Sequence, residues 1–211
     1  MGALHAGHAS LIKKAREYSQ SVVVSIFINP LQFENKDDLA KYPRTPEFDI
    51  ELAASAGATH LWLPHVDEIY PGEVTKLSAG PLGDMYEGVK RPAHFDGVLT
   101  VVNRLFELVK PTWAVFGEKD FQQLAIIRRM VRDLDVPVEI VESPTIRESD
   151  GLALSSRNVR LSATHREDAP CIFRALGEAS KLHNADGIIR HARKLLAESE
   201  HLKVDYLTLV D

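Results

Sequence analysis

The chain of 211 residues is 45% hydrophobic and 26% charged, an ordinary globular composition that excludes disordered and fibrous proteins. Its 25 Lys and Arg against 30 Asp and Glu give a net charge of -5, the wrong sign for a nucleic-acid-binding protein. No apolar stretch reaches the roughly 18 residues of a membrane-spanning helix, no leader follows Met1, and Cys171 is the only cysteine, so we expect a protein of the reducing cytoplasm.

Helices and strands are predicted to alternate along the first 145 residues. Amphipathic periodicity predicts helices at residues 8–20, 45–57, 95–110 and 120–135. Short apolar runs predict strands at residues 21–28, 60–63, 113–116 and 137–141. Because strand and helix follow each other at short spacing, we expect an α/β fold with a doubly wound, mostly parallel, Rossmann-like sheet.

Capping signals and breaks mark the boundaries of these elements. Thr45 and Pro46 predict an N-cap and the first helical position, and Asp120 with Gln123 has the spacing of a capping box. Repeated prolines and glycines interrupt residues 64–92, which indicates a functional loop or a mobile lid.

A smaller domain is predicted after about Thr145, where the alternation ends. Residues 163–182 and 187–200 are predicted to be helices, and residues 204–210 a closing strand. The expected organisation is a first domain at residues 1–145 and a smaller α+β domain at residues 146–211.

Two histidines, His5 and His8, lie three positions apart where the first helix is predicted to begin. Residues at this spacing share a helix face, with Cβ atoms about 5–6 Å apart. Free backbone N–H groups and the positive end of the helix dipole favour an anion there, above all a phosphate. A zinc site and chance placement stay open, because spacing alone shows neither a third ligand nor a second shell.

Two further polar loops follow predicted strands, at the sheet edge where α/β proteins bind ligands. They comprise residues 29–32 and 117–120, and Lys119 in the second is suited to neutralise a phosphate. We interpret Asp120 as an N-cap first and a magnesium contact second. Residues 155–157 (SSR) add two hydroxyls and a guanidinium that suit polyphosphate oxygens. Neither the glycine-rich dinucleotide motif nor a P-loop is present.

Six sequence segments carry a family resemblance. They are MGALHAGH (1–8), FINPLQF (27–33), YPRT (42–45), RPAHFDGV (91–98), FGEKDFQQL (116–124) and DGLALSSRN (150–158). Together they closely resemble the pantothenate synthetase family, also called pantoate:β-alanine ligases. HxGH alone indicates only the wider nucleotidyltransferase superfamily, which shares its fold with class I tRNA synthetases.

The resemblance implies an enzyme that condenses pantoate with β-alanine to pantothenate, on the route to coenzyme A. The pantoate carboxylate would attack the α-phosphorus of ATP and release pyrophosphate, and the β-alanine amine would then displace AMP from the acyl adenylate. Mg²⁺ would accompany ATP, and the protein would be a cytoplasmic homodimer. The site residues would act by positioning the substrates and stabilising charge.

The resemblance also implies the site residues, position by position. The ATP site would comprise Met1, Gly2, Ala3, Leu4, His5, Ala6, Gly7, His8, Gly117, Glu118, Lys119, Asp120, Ile146, Leu154, Ser155, Ser156 and Arg157. Gln32 and Gln123 would bind pantoate, and Gln32 would also meet β-alanine. The catalytic residues would be His5, His8, Lys119, Ser155, Ser156 and Arg157, with His8 as proton donor and no metal ligand from the protein. We expect His94 and Asp96 to set a loop-to-helix junction instead.

The family pattern extends beyond both ends of the sequence. It implies a central strand before the position of Met1 and a continuation after residues 204–211, so we expect a chain shortened at both ends. Two alternatives therefore stay open beside the ligase: a non-catalytic nucleotide-binding module, and a nucleotidyltransferase with another acceptor. A zinc-dependent hydrolase is the remote third.

Overall fold

A computed structural model describes residues 2–32 and 42–210. The backbone divides into two units, residues 1–145 and 146–211, and each is described by itself. The first unit contains α1 Ala6–Tyr18, β1 Val23–Ser25, α2 Pro46–Ser55, β2 His60–Trp62, α3 Val66–Ile69, α4 Glu87–Lys90, α5 His94–Val109, β3 Trp113–Gly117, α6 Phe121–Asp133 and β4 Glu139–Ser143. The second contains α7 Ala163–Asp168, α8 Cys171–Ala179 and α9 Ala185–Leu196.

The strands of the first unit form two parallel pairs. β1 pairs with β2 from Val23 opposite His60, and β3 pairs with β4 from Trp113 opposite Glu139. The prediction of parallel pairing is therefore confirmed for these strands. The strand predicted at residues 21–28 is shorter than expected, and only Val23–Ser25 has ladder geometry.

An apolar cleft of about 530 Å³ lies between the two pairs of strands. Its walls come from α1, β1, α5 and β3, and include Ile12, Val24, Phe106 and Val115. Within the described residues, β1 pairs only with β2 and β3 only with β4.

Two apolar clusters hold the helices of the first unit. Val98, Phe106 and Ile127 belong to the cluster that α5 and α6 form, and Ile12 and Ala53 to the cluster between α1 and α2. Fully burying a side chain the size of isoleucine contributes about 1.5–3 kcal/mol. The second cluster includes Leu4 and Ala9, which flank the two histidines at the start of α1.

Both predicted N-cap residues are confirmed in position, but neither side chain makes a capping hydrogen bond. Thr45 precedes α2 and Pro46 is its first residue. Asp120 precedes α6, but its side chain makes no capping hydrogen bond. The backbones of Thr45 and Asp120, at ψ 60° and 61°, both lie outside the extended region from which an N-cap side chain reaches the helix. The Asp120 carboxylate lies 3.4 Å from Lys119 Nζ instead.

The segment at residues 64–92 contains more structure than its sequence indicates. It includes α3, α4 and a short 3₁₀ turn, and three side chains at i, i+4 and i+8 on α5 bind its backbone. These bonds are Ala79 N–H to Asp96 Oδ1 (2.8 Å), Leu77 N–H to Thr100 Oγ1 (3.0 Å) and Arg104 Nε–H to Ile69 O (2.9 Å). The segment has no regular spacing of apolar residues, and hydrogen bonds to side chains distant in sequence stabilise its backbone instead.

The second unit departs from two sequence predictions. The helix predicted at residues 163–182 is two helices, α7 and α8, which are separated at Pro170. Proline has no backbone N–H, and its ring clashes with the carbonyl of the preceding turn, so a continuous helix is disfavoured there. The strand predicted at residues 204–210 is absent from that described stretch. Val204 and Leu207 pack instead on the apolar cluster of α8 and α9. They are therefore partly buried by helices and not by strand pairing.

One antiparallel bridge joins Arg147 and Ala153 in the second unit. Elsewhere, none of the helices in the described ranges combines the length and apolar composition that crossing a bilayer requires.

Candidate active site

The two histidines of the HAGH segment cap α1, because the ring of each accepts a hydrogen bond from a backbone N–H. His5 is the N-cap residue, with extended backbone, and His8 is the third residue of the helix. The Gly7 N–H donates to His5 Nδ1 (3.1 Å), and the His5 N–H donates to His8 Nδ1 (3.2 Å). The ring centroids lie 4.1 Å apart. Imidazole nitrogens therefore occupy the places that hydroxyl and carboxylate oxygens take in an ordinary capping box.

This hydrogen bonding fixes the tautomer of both rings. A neutral imidazole that accepts at Nδ1 carries its proton on Nε2. Burial, followed by the neighbouring His5 and Lys119, lowers the pKa of His8 to about 3. His8 is therefore neutral at physiological pH and offers Nε2–H as a hydrogen-bond donor. The role of proton donor, which the family resemblance implies for His8, stays a prediction.

The turn after β3 lies against α1. Gly117 ends the strand, and a Cβ added there would lie 3.8 Å from Leu11 of α1. Glu118, Lys119 and Asp120 follow as a 3₁₀ turn, and the positive charge of Lys119 contributes to the lowered pKa of His8. The structure thus brings the predicted residues 117–120 to the same region as the histidines.

Gln32 and Gln123 lie on two separate elements of the first unit. Gln32 ends the short turn Pro30–Gln32, which packs so closely on α5 that a Cβ on Gly97 would lie 2.3 Å from Leu31 O. Gln123 lies in the first turn of α6 and is half-buried. A common pantoate site stays a prediction for this pair.

Asn29 and His94 hold the Gln32 turn in place. The buried Asn29 donates from Nδ2 to Gly97 O (3.0 Å) and accepts at Oδ1 from the Tyr70 hydroxyl (2.9 Å). His94 Nδ1 lies 3.3 Å from Gln32 O. These contacts join the loop after β1 to the beginning of α5.

Ile146 and residues 154–157, which are also predicted to bind ATP, lie in the second unit. Leu154 N–H donates to Ile146 O (3.0 Å), and Arg157 N–H donates to Ser155 Oγ (3.2 Å). Residues 154–157 thus form a turn that follows the Arg147–Ala153 bridge, with Ser156 inside it. Met1 lies outside the described residues.

Asp49, on α2, was not among the predicted residues. It is buried and binds the backbone of the turn that leads into the histidines. The one sequence signal for it is its place four residues after Thr45 of the YPRT segment. That spacing does not indicate partners 45 and 46 residues away.

A zinc site receives no support from the geometry. In the parts of the chain that the structure describes, no three His, Cys, Asp or Glu side chains are grouped to hold a metal ion. A structural or catalytic zinc requires at least three protein ligands.

The comparisons with known proteins cover the whole chain. A family model described as pantoate-beta-alanine ligase matches residues 1–211. A pantothenate synthetase of Acidothermus cellulolyticus is 50% identical over 100% of this chain and 71% of its own length. That of Thermobifida fusca is 48% identical over 100% and 76%.

Solved structures give the same result and confirm the α/β fold class. A pantothenate synthetase from Thermus thermophilus has a TM-score of 0.93 at 47% identity, over 100% of this chain and 79% of the solved one. A pantoate-beta-alanine ligase from Francisella tularensis, complexed with beta-gamma ATP and beta-alanine, has a TM-score of 0.79 at 38% identity, over 93% and 76%.

Proposed function

This chain belongs to the pantoate-beta-alanine ligase family, and we propose that its paired histidines form the ATP site of that reaction. The enzyme condenses pantoate with β-alanine to pantothenate, with ATP converted to AMP and pyrophosphate. The observation that carries the assignment of the site is the reciprocal cap at the start of α1. It fixes two imidazoles in the Nε2–H tautomer at a helix N-terminus, where backbone and dipole favour phosphate.

We propose ATP-binding residues within each of the two domains. The first domain, residues 1–145, supplies the histidine turn and residues 117–120, with Lys119 as the cation for the phosphates. The second, residues 146–211, supplies Ile146 near the base and residues 154–157, whose hydroxyls and guanidinium suit phosphate oxygens. Gln32 and Gln123 offer amide donors and acceptors for pantoate, and Gln32 also for β-alanine.

The reaction needs no nucleophile from the protein. A pantoate carboxylate oxygen forms a bond to the α-phosphorus of ATP, and the bond from that phosphorus to the pyrophosphate oxygen breaks. The β-alanine amine then bonds to the acyl carbon, loses a proton, and displaces AMP together with the oxygen that pantoate contributed. His5, His8 and Lys119 stabilise the charge on the phosphate oxygens while the phosphorus is five-coordinate.

Magnesium enters this proposal as part of the ATP substrate. Mg²⁺ usually keeps several waters and binds phosphates with one or two carboxylates, so it requires no cage of protein ligands. The exposed Asp120 carboxylate at the sheet edge suits such a contact. We also propose that the enzyme is a cytoplasmic homodimer, and analytical ultracentrifugation of the purified chain tests the dimer.

The match of the whole chain, including the pantoate segments, favours the ligase over the two alternatives. A nucleotide-binding module would bind ATP and form no pyrophosphate. A nucleotidyltransferase with another acceptor would consume ATP without regard to pantoate.

Isotope transfer tests the proposed chemistry. When both carboxylate oxygens of pantoate are ¹⁸O, the AMP formed should contain one ¹⁸O and the pantothenate amide should retain the other. Carboxylate-labelled β-alanine, as the control, should give unlabelled AMP. Unlabelled AMP from labelled pantoate, or ADP in place of AMP, would contradict the adenylate route.

A further inference from the structure

Asp49 binds the turn that leads into the catalytic histidines. Its Oδ2 accepts from the Ala3 N–H (3.0 Å), and its Oδ1 accepts from the Leu4 N–H (2.7 Å) and the Thr45 hydroxyl (3.0 Å). The residue is 1% exposed. Both oxygens of a buried charged group are therefore used, and two of the three bonds go to the residues directly before His5.

The bound turn has an unfavourable backbone conformation. Gly2 and Ala3 both have positive φ, at +87° and +49°. Glycine adopts such angles readily, but alanine does so only when its surroundings hold it there. The Asp49 carboxylate supplies that support, because its two oxygens each receive one N–H of consecutive residues, Ala3 and Leu4.

We propose that Asp49 is a positioning residue for the ATP site. It acts through the backbone of Ala3 and Leu4 and sets the position of His5, whose own N–H then orients the His8 ring. This inference rests on the proposed function of the histidine turn. It adds a buried carboxylate on a different helix, α2, to the residues on which phosphate binding depends.

Position 49 requires a carboxylate because both side-chain oxygens must accept hydrogen bonds. Three donors converge on Asp49, and a carboxylate donates nothing in return. Asparagine has the same shape but turns an NH₂ group towards one of the N–H donors. Asp49→Asn therefore leaves at least one turn amide without an acceptor and sets donor against donor.

The test compares Asp49→Asn with two control variants on α2 or at its N-cap. Thr45→Val removes the hydroxyl that binds Asp49 but keeps both bonds to the turn. Ala53→Gly destabilises α2 at a buried position whose side chain takes no part in the three Asp49 hydrogen bonds. We expect the Kd for ATP, measured by calorimetry, to rise about 10- to 100-fold in Asp49→Asn and less than about twofold in both controls.

A second readout separates positioning from general loss of stability. The ¹⁵N signals of the His5 and His8 rings should shift in Asp49→Asn, because the turn that fixes their Nδ1 bonds has moved, and should stay unchanged in Ala53→Gly. Unchanged ATP affinity in Asp49→Asn, or an equal loss in Ala53→Gly, would overturn the proposal. If wild-type protein itself fails to bind ATP, the proposed function fails first, and the two failures are thereby distinguished.

A measurement on the wild type covers the case in which Asp49→Asn does not fold. The Ala3 and Leu4 amides should exchange with solvent as slowly as the amides inside α2. Rapid exchange of both amides in folded wild-type protein would overturn the positioning role without any variant.

Discussion

At the start of α1, each imidazole accepts a backbone hydrogen bond at Nδ1, so the two side chains proposed for phosphate binding also cap the helix. The cap uses Nδ1 of each ring, whereas the proposed phosphate site requires the Nε2–H group. The HxGH spacing predicted the shared face of His5 and His8. It did not predict the tautomer, which depends on which backbone N–H meets which ring nitrogen.

The first residue-scale prediction concerns the His8 donor. His8→Ala should lower kcat about 10²- to 10³-fold, or about 3–4 kcal/mol, by analogy with loss of one donor to a transition state. His8→Gln should recover part of this loss, because its amide carries N–H donors near the place of Nε2. Steady-state kinetics measure both, with His183→Ala as an exposed control. An unchanged kcat in His8→Ala would remove His8 from the mechanism.

The second prediction follows from the lowered pKa of His8. The unfolded chain protonates this histidine near pH 6.5 and the folded protein only near pH 3, so the unfolded state binds more protons between these values. The free energy of unfolding should therefore fall as pH drops from 6.5 towards 3, by at most about 1.4 kcal/mol per pH unit from this group. Urea titrations across this range measure it. His8→Gln, which cannot titrate, should lose less stability, and an identical loss in both proteins would contradict the assignment.

At the scale of whole elements, the sequence predicted what local pattern determines. The helices at α1, α5 and α6 and the order of strands follow from apolar periodicity and are confirmed. The errors occur where a local rule was overlooked or where distant contacts decide. Pro170 divides a helix that a count of apolar positions had joined, and residues 204–210 resemble a strand but have none beside them in the described part. The contacts of Asp49 with the turn before His5 could not be predicted, because Ala3 and Leu4 are distant from it in sequence.

The third prediction concerns the segment at residues 64–92, expected from sequence to be a loop or a lid. Gln122 of α6 donates to Leu82 O and Met85 O, both at 2.8 Å, and accepts from the Glu87 N–H at 3.2 Å. Gln122→Glu removes both donated bonds and sets a carboxylate against two carbonyls, which should cost about 1–3 kcal/mol of unfolding free energy. Hydrogen exchange should rise across residues 82–87 and stay unchanged in α5.

Arg129→Gln is the control for this change on the same helix. It breaks only an exposed ion pair with Asp133, and such pairs contribute about 1 kcal/mol or less. If Gln122→Glu leaves exchange across residues 82–87 unaltered, Gln122 does not hold this segment.

For the molecule as a whole, the residues that the family resemblance implies for ATP binding are distributed over both units. Residues 5, 8 and 119 belong to the first, and the turn at residues 154–157 belongs to the second. The family model matches residues 1–211, so the match includes residues of both units.

The fourth prediction tests the contribution of the second unit. Arg157→Lys keeps the charge but loses the planar fork that binds phosphate oxygens in pairs, and should lower kcat about 10- to 100-fold. Arg190→Gln, an exposed change on α9, should leave kcat unchanged. Equal activity of Arg157→Lys and wild type in steady-state assays would place the guanidinium outside the site.

Pyrophosphate release in a single turnover, with ATP and pantoate present and β-alanine withheld, tests most directly that the histidine turn serves adenylation. We predict about one equivalent of pyrophosphate per protein chain, because the acyl adenylate has no amine to react with and remains bound. Adding β-alanine should then release pantothenate, and omitting pantoate should abolish the pyrophosphate. Equal pyrophosphate release with and without pantoate, or none from folded protein that binds ATP, would contradict this account.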